Sequence, residues 1–151
     1  MPRLYRTEIL DHLGLVAGMY DELGIGDVLD RTTQQTPETR FVTVGHAVKA
    51  MVLNGLGFVH QQLYLVPMFF QNKPTQRLVA PGIEAQHLHD DTLGRALDTL
   101  YAAGVTELYS LIAVTAAQRL GLTPTFAHLD STSFHVDGRY NSGEEPDEQV
   151  I

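Results

Sequence analysis

Asp130 carries the most chemical interest in this chain, because it is a carboxylate placed where a strand would ordinarily avoid one. It lies between Leu129 and Ser131 in the stretch from Thr125 to Val136, Thr-Phe-Ala-His-Leu-Asp-Ser-Thr-Ser-Phe-His-Val. Phe126, Phe134 and Val136 share one parity, the period-two signature of a strand or hairpin. Aspartate is depleted in strand interiors because its carboxylate loses hydration that strand neighbours do not replace. A divalent cation compensates such a charge, and carboxylate oxygens are the hard ligands that Mg²⁺ prefers. In two-metal phosphoryl transfer a few carboxylates hold the ions that activate the attacking oxygen and stabilise the leaving one. The same residues admit a simpler account. Asp130-Ser131-Thr132-Ser133 suits a hairpin turn between Phe126–Leu129 and Phe134–Val136, and residue types alone favour the turn.

The other polar groups are weaker candidates. His87-Leu88-His89-Asp90-Asp91 gathers metal-binding side chains but lacks a recognised ligand spacing. Asp90 or Asp91 stands just before a periodic apolar segment, where a helix N-cap is expected. His128 and His135 alternate with apolar residues and read as sheet-surface or supporting histidines. Ser131, Thr132 and Ser133 have no partner base marked out by spacing, which argues against a covalent nucleophile. Segments 44–59 and 61–70 can be read as a helix-turn-helix, but His46 and Lys49 are the only basic residues expected on the outward face. A core helix pair is the better account.

Helices must position these groups, since the first ~120 residues are patterned at helical period. Ile9, Leu13, Val16, Ala17 and Tyr20 share a face, with Gly24 placed to stop the run. Ile25, Val28 and Leu29 give a shorter amphipathic piece. Residues 34–39 contain Pro37 and read as a loop. Thr43 is a suitable N-cap for a helix whose inward face is expected at Val44, Ala47, Val48, Met51, Val52, Gly55, Leu56 and Val59. Leu63–Phe70 is apolar, with Pro67 in a first turn, a kink or a break. Asn72-Lys73-Pro74 and Pro81-Gly82 are connectors. A further helix carries Leu93, Ala96, Leu97, Leu100 and Tyr101 on one face and ends at Gly104. The last, Thr106–Leu120, points Leu108, Leu111, Ile112 and Ala116 inward and closes at Gly121. The expected fold class is therefore mainly α: a bundle-like helical domain over 1–123, then a terminal β-strand or hairpin within 124–151. A lone strand leaves backbone groups unsatisfied, so this one reads as the opening of a larger sheet.

Composition sets outer bounds. The 151 residues are 44% hydrophobic and 19% charged, as expected of a chain that folds around a core. Zero cysteines exclude disulfides, thiolate metal sites and a cysteine nucleophile, which suits a cytoplasmic location. No signal peptide is expected from residues 1–8, and no apolar run reaches the ~18–20 residues that span a bilayer. The net charge of −8 is uneven. Residues 1–124 hold 9 Lys+Arg against 12 Asp+Glu, giving −3, whereas residues 125–151 hold 1 against 6, giving −5. Affinity for DNA rests largely on cationic side chains displacing counterions from phosphates, so weak nonspecific DNA binding is expected of this chain alone.

Two stretches carry a family resemblance. Asp90-Asp91-Thr92-Leu93-Gly94-Arg95-Ala96-Leu97-Asp98-Thr99-Leu100-Tyr101 resembles the DD-x-LGRALD-x-LY segment of a helical domain of unknown function. That domain precedes the catalytic core in one branch of DDE-class bacterial insertion-sequence transposases. His128-Leu129-Asp130-Ser131-Thr132-Ser133 resembles the HLD-[ST]-T-S strand that opens their RNase H-like core. Leu13–Gly24 and the Val44–Leu56 helix also fit the pattern. The resemblance implies that Asp130 is the first carboxylate of an Asp-Asp-Glu triad and a Mg²⁺ ligand, in an enzyme that cuts and joins DNA at element ends. It implies a second Asp and a Glu well beyond Ile151. Asp137, Glu144, Glu145, Asp147 and Glu148 follow the first strand too closely to supply them. A chain with one ligand of three has no metal cage, so this fragment is expected to be inactive alone and to bind no Mg²⁺. DNA is the implied partner of the intact protein, with a homodimer as a further expectation and neither membrane nor small-molecule substrate. Two rival readings remain: a helical interaction or dimerisation module using apolar side chains around Leu65, Met68, Phe69 and Phe70, and a small DNA-binding regulator.

Overall fold

The helix Val44–Gly55 (α3) is the axis around which the rest is built. In a computed structural model, which describes residues 7–34, 41–58 and 61–123, Val44, Ala47, Ala50 and Leu53 of α3 are completely enclosed. Thr43 caps it as expected: its backbone is extended and its hydroxyl accepts from the His46 amide at 3.2 Å. Before α3 come α1 (Leu13–Glu22) and α2 (Ile25–Thr32). Gly24 joins them at φ 67°, a left-handed conformation that glycine adopts without steric cost. After α3, a 3₁₀ turn at Leu63–Leu65 leads into α4 (Val66–Phe70), with Pro67 in the first turn, where its missing N–H costs nothing. The short α5 (Thr75–Leu78) and a 3₁₀ turn at Ala85–His87 follow. The chain then enters α6 (Asp90–Ala103) and, across Gly104 at φ 89°, α7 (Val105–Arg119). Helices α6 and α7 lie 90° to one another. Helices α1, α2 and α6 pack on α3, and α7 rests on α2 and α6.

The mainly α expectation holds, because the described residues form helices and turns with no strand among them. The strand or hairpin expected over 125–136 lies outside the described residues, as do Asp130, His128, His135 and Ser131–Ser133. No single described helix is long and apolar enough to cross a membrane.

Several helical faces differ from expectation. On α3 the buried residues include Lys49 and Asn54, while Val48, Met51 and Val52 are half-buried and Gly55 and Leu56 exposed. A helix flanked by three others has no single inward stripe, so Val44 and Ala47 are enclosed as expected while burial extends to Lys49, Ala50, Leu53 and Asn54 beyond that stripe. Ile9 lies before α1, and the N-terminal end of that helix is at Leu13. Phe69 and Phe70, which the interaction-module reading would place on the surface, are buried with their rings edge-to-face at 5.0 Å. Val66, Phe69 and Phe70 share one face, i, i+3 and i+4, and that face is the buried one. Leu65 is half-buried, and Met68 alone of the four is well exposed. The largest departure concerns α6 and α7. Leu93, Ala96 and Leu108 are buried, but Leu97, Tyr101 and Leu111 of the expected inward faces are exposed.

Candidate functional site

Beneath the α2–α3 crossing runs a polar seam, and its geometry decides what the basic residues of α3 can do. Gly26 and Gly45 bring the two helices so close that a Cβ on Gly45 would stand 2.8 Å from the Gly26 Cα and carbonyl oxygen. The Tyr20 hydroxyl donates to the Gly45 carbonyl at 2.8 Å, and the Gly45 amide donates to the Asp30 carboxylate at 2.6 Å. Lys49 is 4% exposed, yet its ammonium reaches both Asp21 oxygens, at 2.7 and 2.8 Å, and the Val79 carbonyl at 3.3 Å. Its three donors thereby find partners, the condition under which a lysine charge can be tolerated inside a protein. Burial pushes the Tyr20 phenol well above its usual range, with Asp30, Asp21 and Asp27 adding to the effect. Burial also holds His46 below the usual histidine range, helped by Lys49 and opposed by Asp30 and Asp21.

Lys49 therefore does not lie on an outward face. It ties α3 to α1 and the segment after α5, and it cannot reach a DNA phosphate while that pair is intact. His46 is half-buried, with its Nδ1 enclosed and without a hydrogen-bond partner. The core helix pair is the arrangement observed. The signal missed was that Lys49 is the only charged residue between Val44 and Val59, with Asp21 and Asp30 in the preceding helices as prospective partners.

The His87–Asp91 cluster divides its groups among local structural tasks. His87 Nδ1 accepts from the Glu84 amide at 3.0 Å in a reciprocal capping arrangement, and its ring meets Phe41 edge-on at 4.7 Å. His89 occupies the N-cap position of α6 with an extended backbone, its Nε2 3.1 Å from the Thr92 hydroxyl. Asp90 and Asp91 lie inside the first turn and are exposed, rather than acting as side-chain caps. There they oppose the positive end of the helix dipole. Among the described residues no group of three or more His, Cys, Asp or Glu is placed to hold a metal ion.

An open groove of about 620 Å³ lies beside α4 and α5. Lys73, Arg77, Glu8 and Glu84 all line it, so it presents no charge of one sign to a ligand. Two chemical features of the described unit remain: the satisfied polar seam, and an apolar surface on α6 and α7. Tyr101 is 83% and Tyr109 71% exposed, and Val105, Val114, Leu120 and Leu122 are also largely in solvent. At the far end of α7 the Arg119 guanidinium donates to the Glu22 carbonyl at 2.9 Å and stands 3.7 Å from Asp27. It thus anchors that end to the close of α1 and to α2, leaving the outer faces of α7 free.

Residues 5–114 match the family model described as Domain of unknown function (DUF4277), which spans α1 to α6 and the first two-thirds of α7. No curated protein and no solved structure matches the chain. The match covers well over half of the 151 residues, and the chain belongs to the DUF4277 family.

Proposed function

We propose that this chain is the front part of a DDE-class insertion-sequence transposase, with a non-catalytic helical unit followed by the first strand of an RNase H-like core. The carrying observation is the order of two motifs in one chain: Asp90–Tyr101, which forms most of α6, and then His128–Ser133. In this reading Asp130 is a Mg²⁺ ligand and the single catalytic-position residue present. The helical unit positions it and supplies no ligand itself, consistent with the capping and packing tasks that occupy His87, His89 and Lys49. When bound, Mg²⁺ would activate the attacking oxygen at a DNA phosphate and stabilise the leaving one. Asp130 would hold the ion against a second Asp and a Glu located beyond Ile151. The 151 residues alone cannot enclose the ion, so no strand cleavage is expected of them.

The test uses the reading frame extended past Ile151, assayed for Mg²⁺-dependent cleavage of duplexes carrying the ends of the surrounding element. Asp130→Asn should abolish cleavage while leaving the helical circular dichroism intact. Cleavage at the parental rate by that variant would end the proposal. A second reading, a helical interaction module without catalytic descent, is favoured by the exposed apolar surface of α6 and α7 rather than by residues 65–70.

A further inference from the structure

Helix α7 divides into three sectors. Leu108 and Ile112 pack on the body of the domain, and Leu108 is the only fully buried residue of the helix. Thr106, Glu107, Ser110 and Gln118 make a polar sector, with Leu111 and Val114 set singly among them. Between the two lies a third sector of Val105, Tyr109, Ala113, Ala116 and Leu120, which falls within an arc of about 80°. Its three large members and Ala113 are exposed, and Ala116 is half-buried. Apolar residues aligned in this way, with an exposed tyrosine among them, mark a contact surface rather than scattered surface side chains.

The sector is complementary to itself. Laid antiparallel on a second copy about a two-fold axis between Ile112 and Ala113, it sets Val105 opposite Leu120 and Tyr109 opposite Ala116, each pairing occurring twice. Both helices rise ~1.5 Å per residue, so the register holds along their whole length. The tyrosine ring meets an alanine, and Ala113 stands beside the axis, where a small side chain lets two helices approach closely. Charge favours the same occupant. The two charges of α7 are Glu107, in the polar sector, and Arg119, held on the Glu22 carbonyl, so closure buries neither. A sector without a cation is equally unsuited to the phosphates of a nucleic acid. A standard interface engages about 20–30 residues a side, more than α7 offers, which places this contact in the weak, concentration-dependent class.

We propose that α7 forms a two-fold, antiparallel contact between two copies of this chain, with Tyr109 of each seated over the partner's Ala116. The contact goes beyond both readings of function and needs nothing from Asp130. A chain that stays monomeric while Asp130→Asn abolishes cleavage would sink the pairing alone. A chain that pairs while Asp130→Asn cleaves at the parental rate would sink the catalytic reading alone.

The test is sedimentation of the full chain over about a hundredfold range of concentration. The weight-average mass should rise toward that of two chains. Tyr109→Arg should weaken association by at least about tenfold, the loss expected of a central aromatic contact, with the thermal melt unchanged because the side chain is exposed. The absence of native cysteine makes disulfide mapping unambiguous. Ala113→Cys should oxidise to a linked dimer at least about tenfold faster than Glu107→Cys, since both positions are exposed but Glu107 points away from the sector. Tyr109→Cys should link quickly to Ala116→Cys in a mixture and slowly to itself. A monomer at every concentration, an unaffected Tyr109→Arg variant, or equal rates at 113 and 107 would each overturn the proposal. Fast self-linkage of Tyr109→Cys, the mark of parallel helices, would do the same.

Discussion

Lys49 and Asp21 form an unequal ion pair, since the lysine side chain is 5% exposed and the aspartate 64%. Removing the carboxylate strands a buried ammonium, whereas removing the lysine returns Asp21 to water. Asp21→Asn should therefore cost about 1–2 kcal/mol, below the ~3–5 kcal/mol of a fully enclosed pair because one partner is already solvated. Lys49→Met should cost less, and urea denaturation of the two variants checks the order. His46 gives a pH signature. Its imidazole is held below the ordinary value of 6.5, so at pH below about 6.5 the unfolded chain binds a proton that the folded chain refuses. Its contribution is then complete above that pH and is lost as pH falls toward the depressed value. Urea midpoints measured from pH 8 to pH 5 should fall more steeply for the parent than for His46→Gln, and parallel slopes would contradict this. Spacing alone did not place either residue, because a basic residue within an apolar helix reads as outward until its acidic partners on other helices, here Asp21 and Asp30, are taken into account.

At the scale of elements, local rules and packing can be separated by two glycines. Gly45 meets the Gly26 backbone, so Gly45→Ala should push α2 and α3 apart at a cost of about 1–3 kcal/mol. Gly94 lies inside α6 with nothing within 4 Å of its would-be Cβ, so Gly94→Ala should stabilise by about 0.5–1 kcal/mol. Thermal melts of the two variants should move in opposite directions. Helix ends were the most legible feature of the sequence: Thr43 caps α3, Pro67 lies in the first turn of α4, and Gly24 and Gly104 take positive φ between helices. Those signals are local, fixed by one residue's backbone preference. The buried faces were less legible, because the inward side of α3 depends on which helices surround it. The short α5 and the turn at Ala85–His87 carry too few residues to show a period.

For the whole molecule, a helical unit closed around α3 leaves one face of α7 unfinished just where the chain continues toward Asp130. The helical character of the described residues could be read in the sequence, whereas the period-two segment with a carboxylate inside it lies outside them. What covers α7 could not, since apolar spacing tells that a face is to be buried but not by what. The catalytic reading turns on the backbone around Asp130, because a metal-ligand carboxylate projects from a strand, whereas the competing hairpin places it in a solvent-facing turn. The most direct measurement is the set of ¹³Cα and ¹³Cβ chemical shifts of Leu129–Ser133 in the isotopically labelled chain. Extended-backbone shifts running without interruption through all five residues are expected. Helical-region shifts at Ser131 and Thr132, reporting a reversal of the chain there, would contradict the placement of Asp130 as a magnesium ligand.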